Sequence, residues 1–207
     1  MPNNTPPLVL QGAGSIDVVP MTGNRLSNPD ADSLITGLLP AVLEAARIEL
    51  RYFSAGVPVQ SKPDSSPVTV ADQEAEALLL TCLRRQWGHV PVIAEELAAA
   101  GRLPSEQGDF FLVDALDGTR HFIRGKPEFS INIAYVRDRN PVFGLIYIPS
   151  RGTLYATRSD GGAYRTILPA HSDDPAHLDD LKLECLKSRP ADRTHLVAFN
   201  SRTTGGA

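Results

Sequence analysis

The stretch Phe110-Phe-Leu-Val-Asp-Ala-Leu-Asp-Gly-Thr119 carries the strongest pattern in this chain of 207 residues. Its first four residues are apolar and predict a strand, which runs directly into two carboxylates and a Gly-Thr step. Active sites of α/β proteins collect at the carboxyl ends of strands. Asp114 and Asp117 are therefore predicted to lie at one sheet edge. Residues 119–123 are predicted to start a short helix whose free N–H groups suit an anion.

Two more acids occupy similar places in the pattern. Glu95 follows the apolar stretch Val92-Ile-Ala94, and Asp72 falls in the first turn of a predicted helix that begins after Thr69. Because magnesium prefers oxygen ligands in near-octahedral geometry, these acids together with Asp114 and Asp117 predict a carboxylate-lined magnesium site. Taken alone, the Asp-Gly step is equally compatible with a plain turn, and Asp114 with a solvated loop acid.

The identity of residue 115 bears on the mechanism. A different phosphatase class carries a DxDGT motif, in which the first aspartate is a covalent nucleophile two positions before the second. Here that position is Ala115, so the nucleophile is missing. Water activated by a metal ion is therefore the favoured route.

The hydrophobic periodicity predicts an α+β fold, a layered α/β arrangement with two N-terminal helices packed on a mainly antiparallel sheet. The first helix should span 33–54, with Pro40 in its early turns, and the second should run from Thr69 to near Trp87. The predicted strands are Val90–Ile93, Phe110–Val113, Ser130–Val136, Val142–Ile148 and Thr153–Thr157.

These elements divide the chain into three parts. Residues 1–30 are rich in Pro, Asn and Gly and are predicted to be a flexible N-terminal extension, in which Gly12-Ala-Gly14 is a turn rather than a dinucleotide fingerprint. Residues 31–165 should form an N-terminal α+β domain that binds metal and phosphate. Residues 166–207, with a predicted strand at Leu196–Phe199, are expected to begin an incomplete C-terminal α/β domain.

Composition excludes several function classes. A net charge of −4 without a run of Lys or Arg argues against binding to polymeric nucleic acid. No stretch approaches the ~20 apolar residues of a transmembrane segment, and no signal peptide is indicated, so a cytoplasmic enzyme is expected. Cys82 and Cys185 lack metal-site spacing and are predicted to be buried, reduced thiols.

Several motifs occur in an order that resembles a known family. They are Ser66–Asp72, Ala94–Glu96, Asp114–Thr119 with Phe122, and Phe129–Ala134. Together they resemble the inositol monophosphatase family of lithium-sensitive, magnesium-dependent phosphatases, and the resemblance covers about residues 33–202. Within that family, Lys62–Pro67 and Gly144–Pro149 are similar to the 3'(2'),5'-bisphosphate nucleotidase branch, the CysQ type.

The resemblance implies roles for individual residues, with two or more Mg²⁺ ions as cofactors. Glu95, Asp114 and the backbone carbonyl of Leu116 would bind one ion, and Asp117 a second. Thr119, hydrogen-bonded to Asp72, would orient and help to deprotonate the attacking water beside Glu95. The substrate-binding set would be Glu95, Leu116, Asp117, Gly118 and Thr119, with the last two holding the phosphate through backbone N–H groups.

The resemblance also implies an activity. The expected reaction is hydrolysis of adenosine 3',5'-bisphosphate to AMP and phosphate, a step of sulfur metabolism, with an inositol monophosphatase-type activity as the alternative. The expected partner is thus a small phosphorylated metabolite, and homodimer formation and peripheral contact with the inner membrane stay open.

Two departures from the family pattern matter. Ala115 stands where the family usually has proline, and the family's later tryptophan-aspartate-alanine segment is absent, since the only tryptophan is Trp87. Because that aspartate would complete the second metal site, a truncated, non-catalytic remnant of the family is a further hypothesis for this chain.

Overall fold

The computed structural model describes residues 29–56, 59–61, 67–95, 98, 108–172, 180–188, 190 and 194. The predicted N-terminal extension up to residue 28 and the predicted strand Leu196–Phe199 lie outside the described residues. The predicted division into domains stays a prediction.

Two long helices form as the apolar periodicity predicts. Helix α1 spans Ala31–Ala55 with Pro40 inside it, and helix α2 spans Val70–Trp87. Asp30 caps α1 by accepting a hydrogen bond from the Ser33 N–H at 3.0 Å. Thr69 and Asp72 form a reciprocal capping box at the start of α2. Both predicted helices are confirmed.

A seven-stranded sheet forms the other layer, and it confirms the predicted α+β class. The strands are Val59–Ser61 (β1), Pro67–Thr69 (β2), Val92–Ala94 (β3), Phe110–Asp117 (β4), Ser130–Arg137 (β5), Asn140–Ile148 (β6), Thr153–Thr157 (β7), Ala163–Ile167 (β8) and Glu184–Cys185 (β9). The order in the sheet follows the chain from β3 to β9, with β3 and β4 parallel and every other neighbouring pair antiparallel. A separate antiparallel pair, β1 and β2, precedes α2.

The strand predictions were correct in the centre of the sheet and incomplete elsewhere. Strand β4 runs four residues past its predicted end at Val113, to Asp117, and β8 and β9 were not predicted at all. The prediction that both cysteines are buried was wrong for Cys185, which is exposed in the two-residue edge strand β9. Short edge strands lack the alternation on which a sequence prediction depends.

The helices cover one face of the sheet. The main core joins α1 and α2 to inward-facing side chains such as Phe111, Ile133 and Leu145, each almost fully buried. The opposite face, here called the outer face, carries the alternate residues, among them Leu112 and Ile146, which are 40% and 44% exposed. In the described part of the chain, no helix is long and apolar enough to cross a membrane.

A polar clasp joins the start of α1 to the turn between β7 and β8. The Arg158 guanidinium donates to both carboxylate oxygens of Asp32, at 2.7 and 2.9 Å. Beside it, the Ser159 hydroxyl donates to Asp30 at 3.1 Å. Asp30, which caps α1, is therefore also hydrogen-bonded to the turn between β7 and β8.

Glu49 is an anomaly inside this core. It lies on the buried face of α1 with no exposed surface, and neither carboxylate oxygen has a hydrogen-bond partner within the described residues. Burial raises the pKa of Glu49 well above its usual range, and the nearby Asp72 and Asp114 carboxylates add to the shift. The folded protein thus favours a protonated, neutral Glu49.

We expect Glu49→Met to stabilise the protein more at pH 8 than at pH 5. In wild type, the folded state holds a proton that the unfolded state releases once the pH exceeds about 4.5, so stability falls as the pH rises toward the folded-state pKa. Removing the carboxyl removes that loss, and we expect about 0.5–2 kcal/mol of added stability at pH 8. Thermal unfolding followed by circular dichroism at both pH values measures the difference.

The matched control is Glu44→Met on the same helix, because the Glu44 side chain is 51% exposed and pairs with Arg47. It should leave the pH dependence of the melting temperature as in wild type. If Glu49→Met and wild type lose stability equally between pH 5 and pH 8, the assignment of a neutral buried Glu49 is wrong.

Candidate active site

The end of β4 departs from regular strand geometry where the two aspartates lie. Asp114 pairs with Asn132 and Asp117 pairs with Ser130, so three steps along β4 match two steps along β5. In a regular strand, residues three apart point to opposite faces, but one extra residue brings both to the same face. The bulge therefore directs Asp114 and Asp117 to the outer face of the sheet.

The bulge also fixes the groups around the two aspartates. The Leu116 N–H donates to Asp114 Oδ1 at 3.2 Å, and the Leu116 carbonyl accepts from the Thr119 hydroxyl at 3.1 Å. On the neighbouring strand, the Asn132 side-chain amide donates to Asp117 Oδ2 at 3.1 Å. Each aspartate thus has one oxygen held by the protein and retains lone pairs for a further ligand.

Asp72 joins the start of α2 to the turn that follows β4. One of its oxygens accepts from the Thr69 N–H at 2.8 Å, and the other accepts from the Thr119 hydroxyl at 3.1 Å. Asp72 is almost fully buried, and burial raises its pKa against the lowering effect of the Thr69 and Thr119 hydrogen bonds. The predicted Thr119–Asp72 contact is therefore present in the structure.

Asp114 is the acid whose pKa the neighbouring carboxylates affect most clearly. Burial is the largest cause that raises the pKa of Asp114, to about 7, and the carboxylates of Glu95 and Asp117 raise it further. Glu95, at the carboxyl end of β3, reaches Asp114 because β3 and β4 are parallel neighbours whose ends meet at one edge. The structure therefore brings Glu95, Asp114 and Asp117 into one electrostatic neighbourhood.

Gly118 makes the sharp turn between β4 and the five-residue helix α3, Thr119–Ile123. Its φ of +95° lies in the left-handed region, and an added Cβ would meet the Glu128 carbonyl oxygen at 2.7 Å. Beneath the turn, three aromatic rings pack with centroids 5.0–5.6 Å apart: Phe53, Phe122 and Phe129. The turn is held from both sides, so Thr119 is placed rigidly.

An open cavity of about 660 Å³ lies in front of this turn. Glu95, Asp117 and Thr119 line one side of it, while Ile146 and Ile148 form an apolar wall on β6. The remaining lining residues are Gly118, Arg120, His121, Pro127, Glu128, Phe129, Ser130 and Arg151. The cavity is larger than a bare phosphate ion requires, and its volume suits a small phosphorylated molecule.

The donor atoms at the bulge fit a hard cation. They are carboxylate oxygens and the carbonyl oxygen of Leu116, which are the ligand types that Mg²⁺ selects. Burial and, after it, repulsion by the Glu95 and Asp117 carboxylates raise the pKa of Asp114, and a divalent cation would offset that repulsion. Among the residues that the structure describes, however, no three His, Cys, Asp or Glu side chains alone come close enough to hold an ion. Backbone carbonyl and water oxygens would have to complete the set.

Asn132 and Arg151 had no role predicted from the sequence. Asn132 faces Asp117 from β5, and it falls within the motif Phe129–Ala134, whose resemblance to the family gave it no role. Arg151 reaches the cavity from the turn after β6 and has no motif around it. The catalytic, metal-binding and substrate-binding roles stay predictions for the whole set: Asp72, Glu95, Asp114, Leu116, Asp117, Gly118 and Thr119.

Comparisons with known proteins identify relatives of this chain. The chain is 36% identical over 107 residues to the 3'(2'),5'-bisphosphate nucleotidase CysQ of Escherichia coli K12, covering 52% of this chain and 43% of that protein. It is 33% identical over 140 residues to the protein of the same name from Aggregatibacter actinomycetemcomitans, covering 64% and 51%. The chain thus spans about half the length of the curated relatives it matches.

A solved structure gives the same fold. CysQ from Bacteroides thetaiotaomicron superposes with a TM-score of 0.59 at 28% sequence identity, covering 80% of this chain and 65% of that one. The family model for the inositol monophosphatase family matches residues 30–202, which is most of the chain. The chain therefore belongs to the inositol monophosphatase family.

Proposed function

We propose that this protein is a magnesium-dependent phosphomonoesterase that hydrolyses adenosine 3',5'-bisphosphate to AMP and phosphate. The observation that carries the proposal is the bulged end of β4, which brings Asp114 and Asp117 to one face of the sheet. Asp117 lines the cavity together with Glu95 and with Thr119, whose hydroxyl is hydrogen-bonded to Asp72. The named relatives support the choice of a nucleoside bisphosphate over an inositol phosphate.

The residues of this chain would divide the work between binding and proton transfer. Glu95, Asp114 and the Leu116 carbonyl would hold one Mg²⁺ and Asp117 a second. When bound, the ions would neutralise charge on the phosphoryl oxygens and lower the pKa of a water molecule. Gly118 and Thr119 would orient the phosphate through their backbone N–H groups.

Thr119 would also position the attacking water. Its hydroxyl donates to Asp72 at 3.1 Å, so its oxygen lone pairs are available to accept a hydrogen bond from the water and orient it. Glu95 lines the same cavity, and its carboxylate would accept the proton that the water loses. The water oxygen would attack phosphorus in line, the phosphate ester bond would break, and the ribose oxygen would leave with a proton from solvent.

The central test is phosphate release from adenosine 3',5'-bisphosphate by the 207-residue chain, with Mg²⁺ and with or without lithium. We expect release that requires Mg²⁺ and that lithium inhibits. Inositol 1-phosphate as a parallel substrate distinguishes the alternative activity. If the chain releases phosphate from neither substrate, it is not a phosphatase by itself and the remnant hypothesis gains support.

Asp117→Asn should reduce phosphate release by about 10²-fold or more, because it removes a charge that would stabilise the transition state through a bound cation. The matched control is Asp138→Asn in the exposed β5–β6 turn, where φ is +47° and asparagine is tolerated. The control should keep wild-type activity. Unchanged activity in Asp117→Asn would contradict the site assignment.

Gly118→Ala should lose most activity even where the fold survives, because the new Cβ cannot fit 2.7 Å from the Glu128 carbonyl oxygen. Gly125→Ala is the control: its φ of +66° imposes comparable strain, but no atom lies within 4 Å of the added Cβ. We expect a lower melting temperature for Gly118→Ala than for Gly125→Ala, because only Gly118→Ala adds a clash with the backbone. At a temperature where both variants are folded, the loss of phosphate release should be confined to Gly118→Ala. Equal activity in the two variants would show that the turn does not position the site.

A further inference from the structure

Arg151 is a cation of the active-site cavity that the proposed mechanism does not use. It lies in the short 3-10 turn Pro149–Arg151 after β6 and lines the cavity together with Asp117 and Thr119. Within the described residues, its side chain makes no hydrogen bond or ion pair. By contrast, His121 in the same cavity pairs with Glu128 at 3.1 Å. Arg151 is therefore available to a ligand.

The turn that presents Arg151 is fixed on both sides. Within it, the Ser150 hydroxyl donates to the Pro127 carbonyl at 2.6 Å, which ties the turn to another wall of the cavity. After it, Gly152 has a φ of +58°, and its carbonyl accepts from the Leu168 N–H at 2.6 Å. An added Cβ at Gly152 would meet Pro169 at 2.7 Å, so the backbone is closely packed there. The base of the Arg151 side chain is thus preorganised.

The sheet topology sets the distance between Arg151 and the reacting end of the cavity. Strands β4 and β6 are both antiparallel to β5, so they run parallel to each other and their carboxyl ends meet at the same edge. They are separated by two strand spacings, about 10 Å. A phosphorylated ribose and an arginine side chain together can bridge that distance.

The cavity wall between the two ends is apolar. Ile146 is 44% exposed and lies on the outer face with Asp114 and Asn132, and Ile148 continues the wall toward Arg151. A ligand that fits this arrangement has a phosphate at the carboxylate end, an uncharged body against the isoleucines, and a second anion near Arg151. A ligand with only one anionic group leaves Arg151 unpaired.

We propose that Arg151 is a specificity-determining residue that binds the second, non-reacting phosphate of a nucleoside bisphosphate. The inference rests on the proposed function, since it takes the reacting phosphate to lie at Asp117 and Thr119. Arg120 also lines the cavity, but it adjoins Thr119 and so lies near the reacting phosphate of every substrate. Arg151 alone, of these two arginines, distinguishes bisphosphates from monophosphates.

The test compares adenosine 3',5'-bisphosphate with adenosine 3'-monophosphate, which differ only in the second phosphate. For wild type, Arg151→Gln and Arg151→Lys, kcat/KM is measured by phosphate release, and Kd by calorimetry in Mg²⁺-free buffer. We expect Arg151→Gln to lose about tenfold toward the bisphosphate and to be unchanged toward the monophosphate, through KM rather than kcat. Arg151→Lys should recover part of the loss.

The matched control is Arg85→Gln, an exposed arginine on α2 away from the cavity. It should behave as wild type toward both nucleotides, which excludes a general effect of net charge. Melting temperatures of all variants report on folding. A purely structural role for Arg151 would reduce activity toward both nucleotides equally, and that outcome overturns the inference.

The remaining outcomes separate this inference from the proposed function. If wild type releases phosphate and Arg151→Gln keeps the wild-type preference between the nucleotides, the function stands and the inference is wrong. If nothing is hydrolysed but Arg151→Gln abolishes a preference for binding the bisphosphate, the inference stands and the function is wrong. If wild type neither binds nor hydrolyses either nucleotide, both are wrong.

Discussion

The bulge in β4 is the constraint on which the candidate site depends. Without the extra residue, Asp117 would point into the core, where an unpaired carboxylate is strongly disfavoured. With it, both aspartates share the outer face, and the Leu116 carbonyl leaves the regular ladder and faces Thr119. The bulged strand is followed directly by Gly118, whose positive φ turns the backbone into α3 at the wall of the cavity. A single local distortion thus positions the oxygen atoms of Asp114, Leu116 and Asp117.

The site also concentrates like charges at some expense in stability. Asp114 lies among carboxylates that raise its pKa, and Asp72 and Glu49 add two more buried acids on the core side. Asp72 accepts three hydrogen bonds, two from Thr69 and one from Thr119, which offset part of the cost of burying it. Glu49 accepts none within the described residues. A protein selected only for stability would avoid this arrangement, and the proposed divalent cation would offset the repulsion among Glu95, Asp114 and Asp117.

The sequence predicted those features that depend on local spacing. The α2 capping box, the Asp-Gly turn and the two long helices are encoded within a few neighbouring residues, and the Thr119–Asp72 contact came from a family resemblance. Asn132, Glu49 and Arg151 were not assigned because their roles depend on strand register and on packing between distant elements. The alternation of Ser130, Ile131 and Asn132 marks a strand, but only the pairing with β4 shows which aspartate Asn132 contacts.

The clasp between Asp32 and Arg158 has a consequence for the order of folding. Its partners are 126 positions apart, so the loop that they close is among the longest in the described protein. Closing such a loop is entropically costly before the intervening sheet has formed, and contacts of this kind slow folding. Helix α1 is synthesised before the turn after β7 and cannot complete its contacts until that turn has followed it. Until then α1 can pack on α2 but lacks its contacts with the later strands, and the incomplete core leaves the nascent chain open to chaperones and to aggregation.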